Sequence, residues 1–489
     1  MAYNELVCGQ SAKLLDQALI KKFNLTEKEL VDRAGRAVFE VISNEFPTRK
    51  KLDIVCGPGK NGADGFQVAR HAKKEGYSVR VYAFRSDYPE SSLQFHIQKE
   101  LKKQDVPIFD IDKYVVCDTS VIVDGIFGVG LNRKLSAATK SLIKNINDTP
   151  AVTVAIDVPT GVDSSSGWVY DVAVKADLTV SFFAVKQGSL TGAGKSHSGK
   201  IVVDNLLLDV DDELKKVTSS KLLGFEESLD FLPSRREYSN KHDYGHNLVI
   251  GGAPGYAGAP LISCKAALRS GSGLVSLATH FSNSEGLISG QPEIMFHKIK
   301  RIKDLEGLVS RASVIGIGPG LGLSDWSKRM YQEIQNLKKP VVFDADALNI
   351  LARNRSYNNN RVLTPHAKEA ARLLGISESK IESDRFLSVA KIVETYGGVC
   401  LLKGPGTIVA GMGRIPRIIS GGHSGMATGG MGDLLLGIIL SFMGQGLNNF
   451  DAACLGCSIH NQAADRARIS GLKGMLPTDL LPIIRGLIG

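Results

Sequence analysis

Short apolar runs bounded by glycine alternate with helical stretches along nearly the whole chain, in two successive series. This alternation limits the fold more than any other feature. Strands that are apolar from end to end must be covered on both faces, and crossover helices in a parallel sheet supply that cover. The first series holds Leu52–Cys56, Val79–Phe84, Val121–Asp124, Val152–Ile156 and Leu178–Phe183, with a helix expected over Gly65–Glu75. Two helices precede it, about Gln10–Lys22 and Thr26–Asn44, the second opened by the capping-box pattern Thr26-Glu-Lys-Glu29. The second series starts at Asn247-Leu-Val-Ile-Gly-Gly252 and continues through Leu274–Ala278, Val314–Ile317, Val341–Phe343, Val362–Leu363 and Val399–Leu402. Between the two, residues 209–233 are more charged and read as a linker with a short helix. The expected fold class is α/β with two tandem domains, the first a Rossmann-like parallel sheet. The expected boundaries are 1–215, a linker over 216–234, and 235–489.

Composition narrows the function. With 43% hydrophobic and 22% charged residues the chain is ordinary globular protein. Its net charge of +9 is scattered, as in Arg49-Lys50-Lys51 and Arg235-Arg236. No basic helix or aromatic-basic repeat appears, which argues against nucleic acid. A mild positive surplus suits a small polyanion such as a nucleotide. No apolar stretch reaches the roughly 18 residues of a membrane span, so no membrane partner is expected. The start, Met1-Ala-Tyr-Asn-Glu, lacks a secretion-signal pattern, and the expected setting is reducing cytoplasm. Cys454 and Cys457 form one Cys-x-x-Cys, but His460 alone supplies no second ligand pair for zinc, so thiols of the core or surface are expected.

The motifs gather at strand ends. Near the C-terminus the chain reads Gly422-His-Ser-Gly-Met-Ala-Thr-Gly-Gly-Met-Gly-Asp433, followed by an apolar helix. Five glycines there let the backbone approach a ligand, and amides at a helix N-terminus favour negative charge. Asp433 stands beside this cradle as a proton acceptor, the alternative being a helix cap. In the first series, Gly57-Pro-Gly-Lys-Asn-Gly-Ala-Asp-Gly65, Asp124-Gly-Ile-Phe-Gly-Val-Gly-Leu-Asn-Arg-Lys134 and Asp157-Val-Pro-Thr-Gly161 all follow strands and converge on one crevice. Asn61, Asp124 and Thr160 offer oxygen ligands for a hard cation, leaving Asp64 and Asp157 for proton transfer. In the second series, Gly251–Ala259, Gly316–Gly322, Asp344-Ala-Asp346, Thr364-Pro-His-Ala-Lys-Glu369 and Lys403-Gly-Pro-Gly-Thr407 follow strands or join them. The Lys403 side chain is expected to reach a phosphate, and Asp344-Ala-Asp346 to orient a metal or water. A single His366 is more often a satisfied structural residue than a chemical one.

The segments Leu52–Arg70, Asp124–Lys134 and Ile156–Asp163 resemble the epimerase domain of the NAD(P)H-hydrate repair enzymes. The family pattern Asn-Asn-Gly-Gly-Asp-Gly meets Lys60-Asn61-Gly62-Ala63-Asp64-Gly65 here, so Lys60 and Ala63 depart from it. Thr160 replaces the usual Ser and keeps its hydroxyl. The resemblance implies K+ held by Asn61, Asp124 and Thr160. It also implies substrate contacts from Lys60, Asn61, Gly62, Ala63, Asp64, Gly128, Val129, Gly130, Leu131, Asn132, Arg133 and Lys134, and a catalytic Asp157. At Ala63 a methyl replaces a hydrogen where the family's backbone lies against the substrate. Residues from Tyr238 to Gly489 resemble the dehydratase domain of the same enzymes, which is ribokinase-like. There the resemblance implies that Ala259, Gly320, His366 and the catalytic Asp433 face the hydrated nucleotide. Lys403, Gly404, Pro405, Gly406, Thr407 and Gly432 hold the adenine nucleotide on this reading.

The two resemblances together imply repair of hydrated NADH and NADPH. The first domain would interconvert the R and S forms at C6. The second would dehydrate the S form with Mg2+ and with ADP as phosphoryl donor, yielding AMP and phosphate. A homo-oligomer is expected from the family. The competing reading is a vitamin or sugar kinase carrying a non-catalytic N-terminal binding domain.

Overall fold

The computed structural model describes residues 4–84, 88–114, 120–131, 133–288 and 290–489. Its contacts divide into two compact units, Met1–Lys221 and Leu222–Gly489.

In the first unit the strands of the seven-stranded sheet are β1 (Lys51–Cys56), β2 (Ser78–Ala83), β3 (Ile108–Asp110), β4 (Val121–Gly125), β5 (Val152–Ile156), β6 (Leu178–Phe182) and β7 (Lys200–Asp204). They lie in the order β3-β2-β1-β4-β5-β6-β7, and every pairing is parallel. Helix α1 (Glu27–Glu45) opens with the expected capping box. The Glu29 amide donates to Thr26 Oγ1 at 3.2 Å, and Glu29 Oε2 accepts from the Thr26 amide at 2.8 Å. Its Val31, Val38 and Ile42 share the core with Leu52 and Ile54 of β1. Strand order reverses between β1 and β4, which makes the gap beyond their C-terminal ends the natural ligand crevice. There Gly57 donates its amide to Gly125 O at 3.0 Å, and a Cβ on Gly57 would lie 1.8 Å from Ile126 O. No residue but glycine lets the two strand ends close in this way.

In the second unit the strands are β8 (His246–Ile250), β9 (Leu274–His280), β10 (Ile294–Ile299), β11 (Val314–Ile317), β12 (Val341–Phe343), β13 (Arg361–Leu363), β14 (Val399–Leu402), β15 (Ile408–Gly411) and β16 (Arg417–Ile419). The order is β10-β9-β8-β11-β12-β13-β14-β15-β16, parallel as far as β14 and antiparallel beyond it. Its switch point falls between β8 and β11, where Gly252 and Ala253 donate to Pro319 O and Gly320 O at 3.0 and 2.7 Å. The apolar helix after the glycine-rich turn spans Met431–Gly444 and buries 11 of its 14 residues. A helix apolar all round belongs in a core, and this one joins Ile459 and Val249 in a single cluster. Among the described residues, no helix is long and apolar enough to cross a membrane.

Residues 209–233 are more ordered than a linker. They form helix Asp211–Val217, strand Ser220–Leu223 and the turns Phe225–Ser228 and Leu229–Phe231. Ser220 and Lys221 pair antiparallel with Leu6 and Glu5, a partner from the far end of the sequence that local patterning does not reveal.

Candidate active sites

In the first unit, helix α2 begins at Lys60 and runs to Lys74, five residues before the expected start. Its first turn folds back onto the strand end, where a Cβ on Gly62 would lie 1.8 Å from Gly57 O. Asn61, Gly62, Ala63 and Asp64 are therefore buried helical residues. The Ala63 methyl is 1% exposed and packs in the apolar core with Cys56 and Phe66. The expected methyl against a ligand is thus directed into the protein. Lys60 is exposed and pairs with Glu27 at 2.8 Å.

Asp124, at the end of β4, is fully buried. Its Oδ1 accepts from Thr160 Oγ1 at 2.7 Å and the Ile126 amide at 3.2 Å, and its Oδ2 from the Thr160 amide at 2.8 Å. Burial still raises its pKa to about 6 against these bonds. Asn61 faces the same turn, with Oδ1 3.0 Å from where a Gly128 Cβ would be, and its Nδ2 is buried without a partner. The three expected cation ligands thus gather at the switch point. Of the following segment, Gly128 and Val129 are half-buried, Gly130, Arg133 and Lys134 are exposed, and Leu131 packs into the core with Ile126. Asn132 lies outside the described residues.

Asp157 is not left free, as the sequence suggested. It follows β5 at a φ of +66°, a costly backbone for a residue with a side chain, and is ion-paired with Lys186. Lys186 is itself buried, and its ammonium also donates to Phe182 O at 3.0 Å and Ser181 Oγ at 3.3 Å. Two further carboxyls feel this pair. Asp64 is pushed well up, first by burial and then by the Asp157 charge. Asp16, on helix Gly9–Lys22, is raised to about 6 by burial, which Lys186 opposes and Asp157 reinforces. Lys186 and Asp16 escaped sequence reasoning. The available signal was one lysine ending the apolar run Phe182-Phe-Ala-Val-Lys186.

In the second unit the candidate residues meet beyond β8, β11, β12 and β14. A Cβ on Gly320 would lie 3.4 Å from the Ala259 methyl, so these two face each other. The Lys403 ammonium, expected to be available for phosphate, donates to Asp344 Oδ1 at 2.7 Å and stands 3.8 Å from Glu369 Oε2. Burial pushes Lys403 down, but the two carboxylates outweigh it and its pKa is raised. Directly above, a Cβ on Gly432 would be 3.3 Å from both Asp344 Oδ2 and Lys403 Nζ. Gly430, in the left-handed region, is the N-cap of the apolar helix, so Asp433 is not its cap. Burial, then the charge of Asp344, raise Asp433 to about 6, with Lys403 opposing.

His366 is the N-cap of helix Ala367–Leu374, its Nδ1 accepting from the Lys368 and Glu369 amides at 3.1 and 3.4 Å. In return the His366 amide donates to Glu369 Oε2 at 2.9 Å. Burial and Lys403 lower the His366 pKa, and its Nε2 lies 3.5 Å from Glu369 Oε1.

Comparison with known proteins follows the same division. Residues 247–485 match the family described as NAD(P)H-hydrate dehydratase, and residues 27–188 that described as YjeF-related protein N-terminus. A ribokinase-like superfamily protein from Enterococcus faecalis V583 covers 55% of this chain and 94% of its own length at 26% identity, with a TM-score of 0.52. An ADP/ATP-dependent NAD(P)H-hydrate dehydratase from Bacillus subtilis, co-crystallized with ATP/Mg2+, has the same fold at 24% identity and a TM-score of 0.50, covering 54% of this chain and 96% of its own. The second unit is thus ribokinase-like. The bifunctional NAD(P)H-hydrate repair enzyme Nnr of Escherichia coli K12 is 40% identical over 95% of this chain and 90% of its own length. That of Coxiella burnetii is 38% identical over 96% and 97%. The chain belongs to the family of bifunctional NAD(P)H-hydrate repair enzymes.

Proposed function

We propose that the first unit epimerises hydrated NADH and NADPH at C6, and that the second dehydrates the S form with ADP. The observation that carries this is the meeting of Asp344, Lys403, Gly432 and Asp433 beneath the glycine turn. In the second unit Asp433 takes the proton of the C6 hydroxyl as its oxygen attacks the terminal phosphorus of ADP. AMP leaves, and the amides of the turn at Gly429–Gly432 stabilise the transferring phosphoryl charge. The N1 lone pair then breaks the C6–O bond and expels phosphate. Loss of a C5 proton restores the ring double bond. Lys403, held by Asp344, marks the position of the nucleotide phosphates, with Gly404, Pro405, Gly406 and Thr407 continuing that cradle and Gly432 closing it. Ala259, Gly320 and the Nε2 of His366 orient the hydrate.

Among the described residues, no three His, Cys, Asp or Glu side chains are grouped to hold a metal alone. Asp344 and Glu369 beside a polyphosphate suit Mg2+, which takes a carboxylate or two with phosphate oxygens and supplies charge neutralisation when bound.

In the first unit Asn61, Asp124 and Thr160 fit K+, because the buried Asp124 carboxylate is bonded only by neutral donors. The cation would supply the missing positive charge. The Asp157–Lys186 pair carries the proton. The C6 hydroxyl leaves as water, pushed by N1, and returns to the opposite face. Lys60, Asn61, Asp64, Gly128, Val129 and Gly130 frame the substrate, with Lys60, Arg133 and Lys134 on the exposed side.

Product analysis tests the reading. Pure S hydrate with ADP should give NADH, AMP and phosphate in equal amounts, and a parallel run with ATP decides the donor. A stable phosphorylated alcohol formed from a vitamin, with no NADH recovered, would instead make the second unit a kinase.

A further inference from the structure

The loop joining β14 to β15 rests on a buried guanidinium that neither motif includes. Arg385 opens helix Arg385–Tyr396 and is fully buried. Its Nη1 donates to both carboxylate oxygens of Glu382, at 3.0 and 3.1 Å. Its Nη2 donates to the carbonyls of Leu402 and Lys403, both at 3.2 Å. These are the last carbonyl of β14 and the first of the loop, and the second belongs to the residue whose ammonium pairs with Asp344. The backbone then passes over the guanidinium at Gly404, where φ is +138° and a Cβ would lie 3.0 Å from both Nη1 and Nη2. The loop has other ties as well, among them the Ile419 amide donating to Thr407 O at 2.9 Å. Thr407 Oγ1 donates to Gly404 O at 3.1 Å, and the Lys403 amide to Pro365 O at 2.9 Å.

A buried charge is costly unless its bonds are satisfied, and only the planar fork of arginine meets a carboxylate and two successive carbonyls at once. Glu382 neutralises the charge locally, so the effect on a ligand is geometric. Full burial keeps the guanidinium away from the phosphates themselves.

We propose that Arg385 is a positioning residue for nucleotide binding: it fixes the path of the Lys403–Thr407 loop, and through it the places of the Lys403 ammonium and the loop amides. This rests on the assignment of that loop to the adenine nucleotide. Lysine at position 385 keeps charge and most of the volume but not the fork. Methionine keeps neither charge nor bonds.

The test is steady-state dehydration by the full chain, varying ADP and hydrate separately. R385K should raise the KM for ADP about tenfold, the worth of one charge-assisted hydrogen bond. The KM for hydrate and kcat should not move, and R385M should show the same selective effect more strongly. If R385M does not fold, R385K alone carries the test. An unchanged KM for ADP in R385K overturns the inference, as does a parallel change in both KM values and kcat, which marks general loosening. K403M separates the two readings. If it leaves the KM for ADP unchanged, the loop is not the nucleotide site. If it raises that KM while R385K does not, only the role of Arg385 falls.

Discussion

Asp433→Asn should trade catalysis for stability, and the structure sets both sizes. The substitution keeps shape and removes charge. Loss of a general base lowers kcat by about 10²–10⁴. Stability moves the other way. The carboxyl ionises at about 6 in the folded chain against a reference of 3.8, for burial first and the Asp344 charge second. That gap corresponds to about 3 kcal/mol. The side chain is only partly buried and Lys403 offsets some repulsion, so about 1–2 kcal/mol is the realistic share. The unfolded chain loses this proton first as pH rises. The penalty is therefore absent below about pH 4, grows towards pH 6 and is complete above it. At pH 8 the variant should melt a few degrees above wild type, at about 2–4 °C per kcal/mol for a unit of this size. At about pH 3, below both values, the two should melt together. Thermal unfolding at both pH values, beside dehydration followed by NADH absorbance, reads both effects. Near-wild-type dehydration refutes the base assignment, and a melting difference independent of pH refutes the electrostatic account. Wild-type dehydration should itself fall as pH drops through about 6.

Other outcomes follow from the same geometry. Ala63→Gly should destabilise by about 1 kcal/mol without speeding epimerisation, because the methyl fills core space within a helix. Urea denaturation and an epimer assay check both halves. Lys186→Met leaves Asp157 without its buried partner, and should cost about 3–5 kcal/mol and abolish epimerisation while dehydration of the S form continues. Replacing potassium with choline should slow epimerisation and lower the melting temperature of the wild type, since Asp124 then lacks a positive partner; equal rates in both salts would remove the cation from the account.

Most strands of both sheets were legible because apolar runs ended at glycine. Among the strands that escaped, Ile108–Asp110, Lys200–Asp204 and Ile294–Ile299 are edge strands whose half-exposed residues break the apolar run, while Glu5–Val7, Val185–Lys186, Ser220–Leu223 and Arg417–Ile419 are too short to show a period. The start of α2 was misplaced because Gly62 and Gly65 read as a loop, yet close packing against Gly57 O makes the first glycine a helical necessity. The glycine-flanked residues Asn61, Asp124, Thr160, Lys403 and Asp433 could be read because their turns announce them. Lys186, Asp16 and Arg385 could not. Each acts across 17 or more residues of sequence on a residue in another element, and no local pattern records such a partnership.

The most direct measurement mixes the full chain with both epimers of hydrated NADH, potassium, magnesium and ADP, and follows NADH absorbance to its end point. Complete recovery of NADH from both epimers is the predicted result. A plateau at the share of the S epimer would show that the Asp157–Lys186 site does not epimerise, and no recovery at all would contradict the repair activity itself.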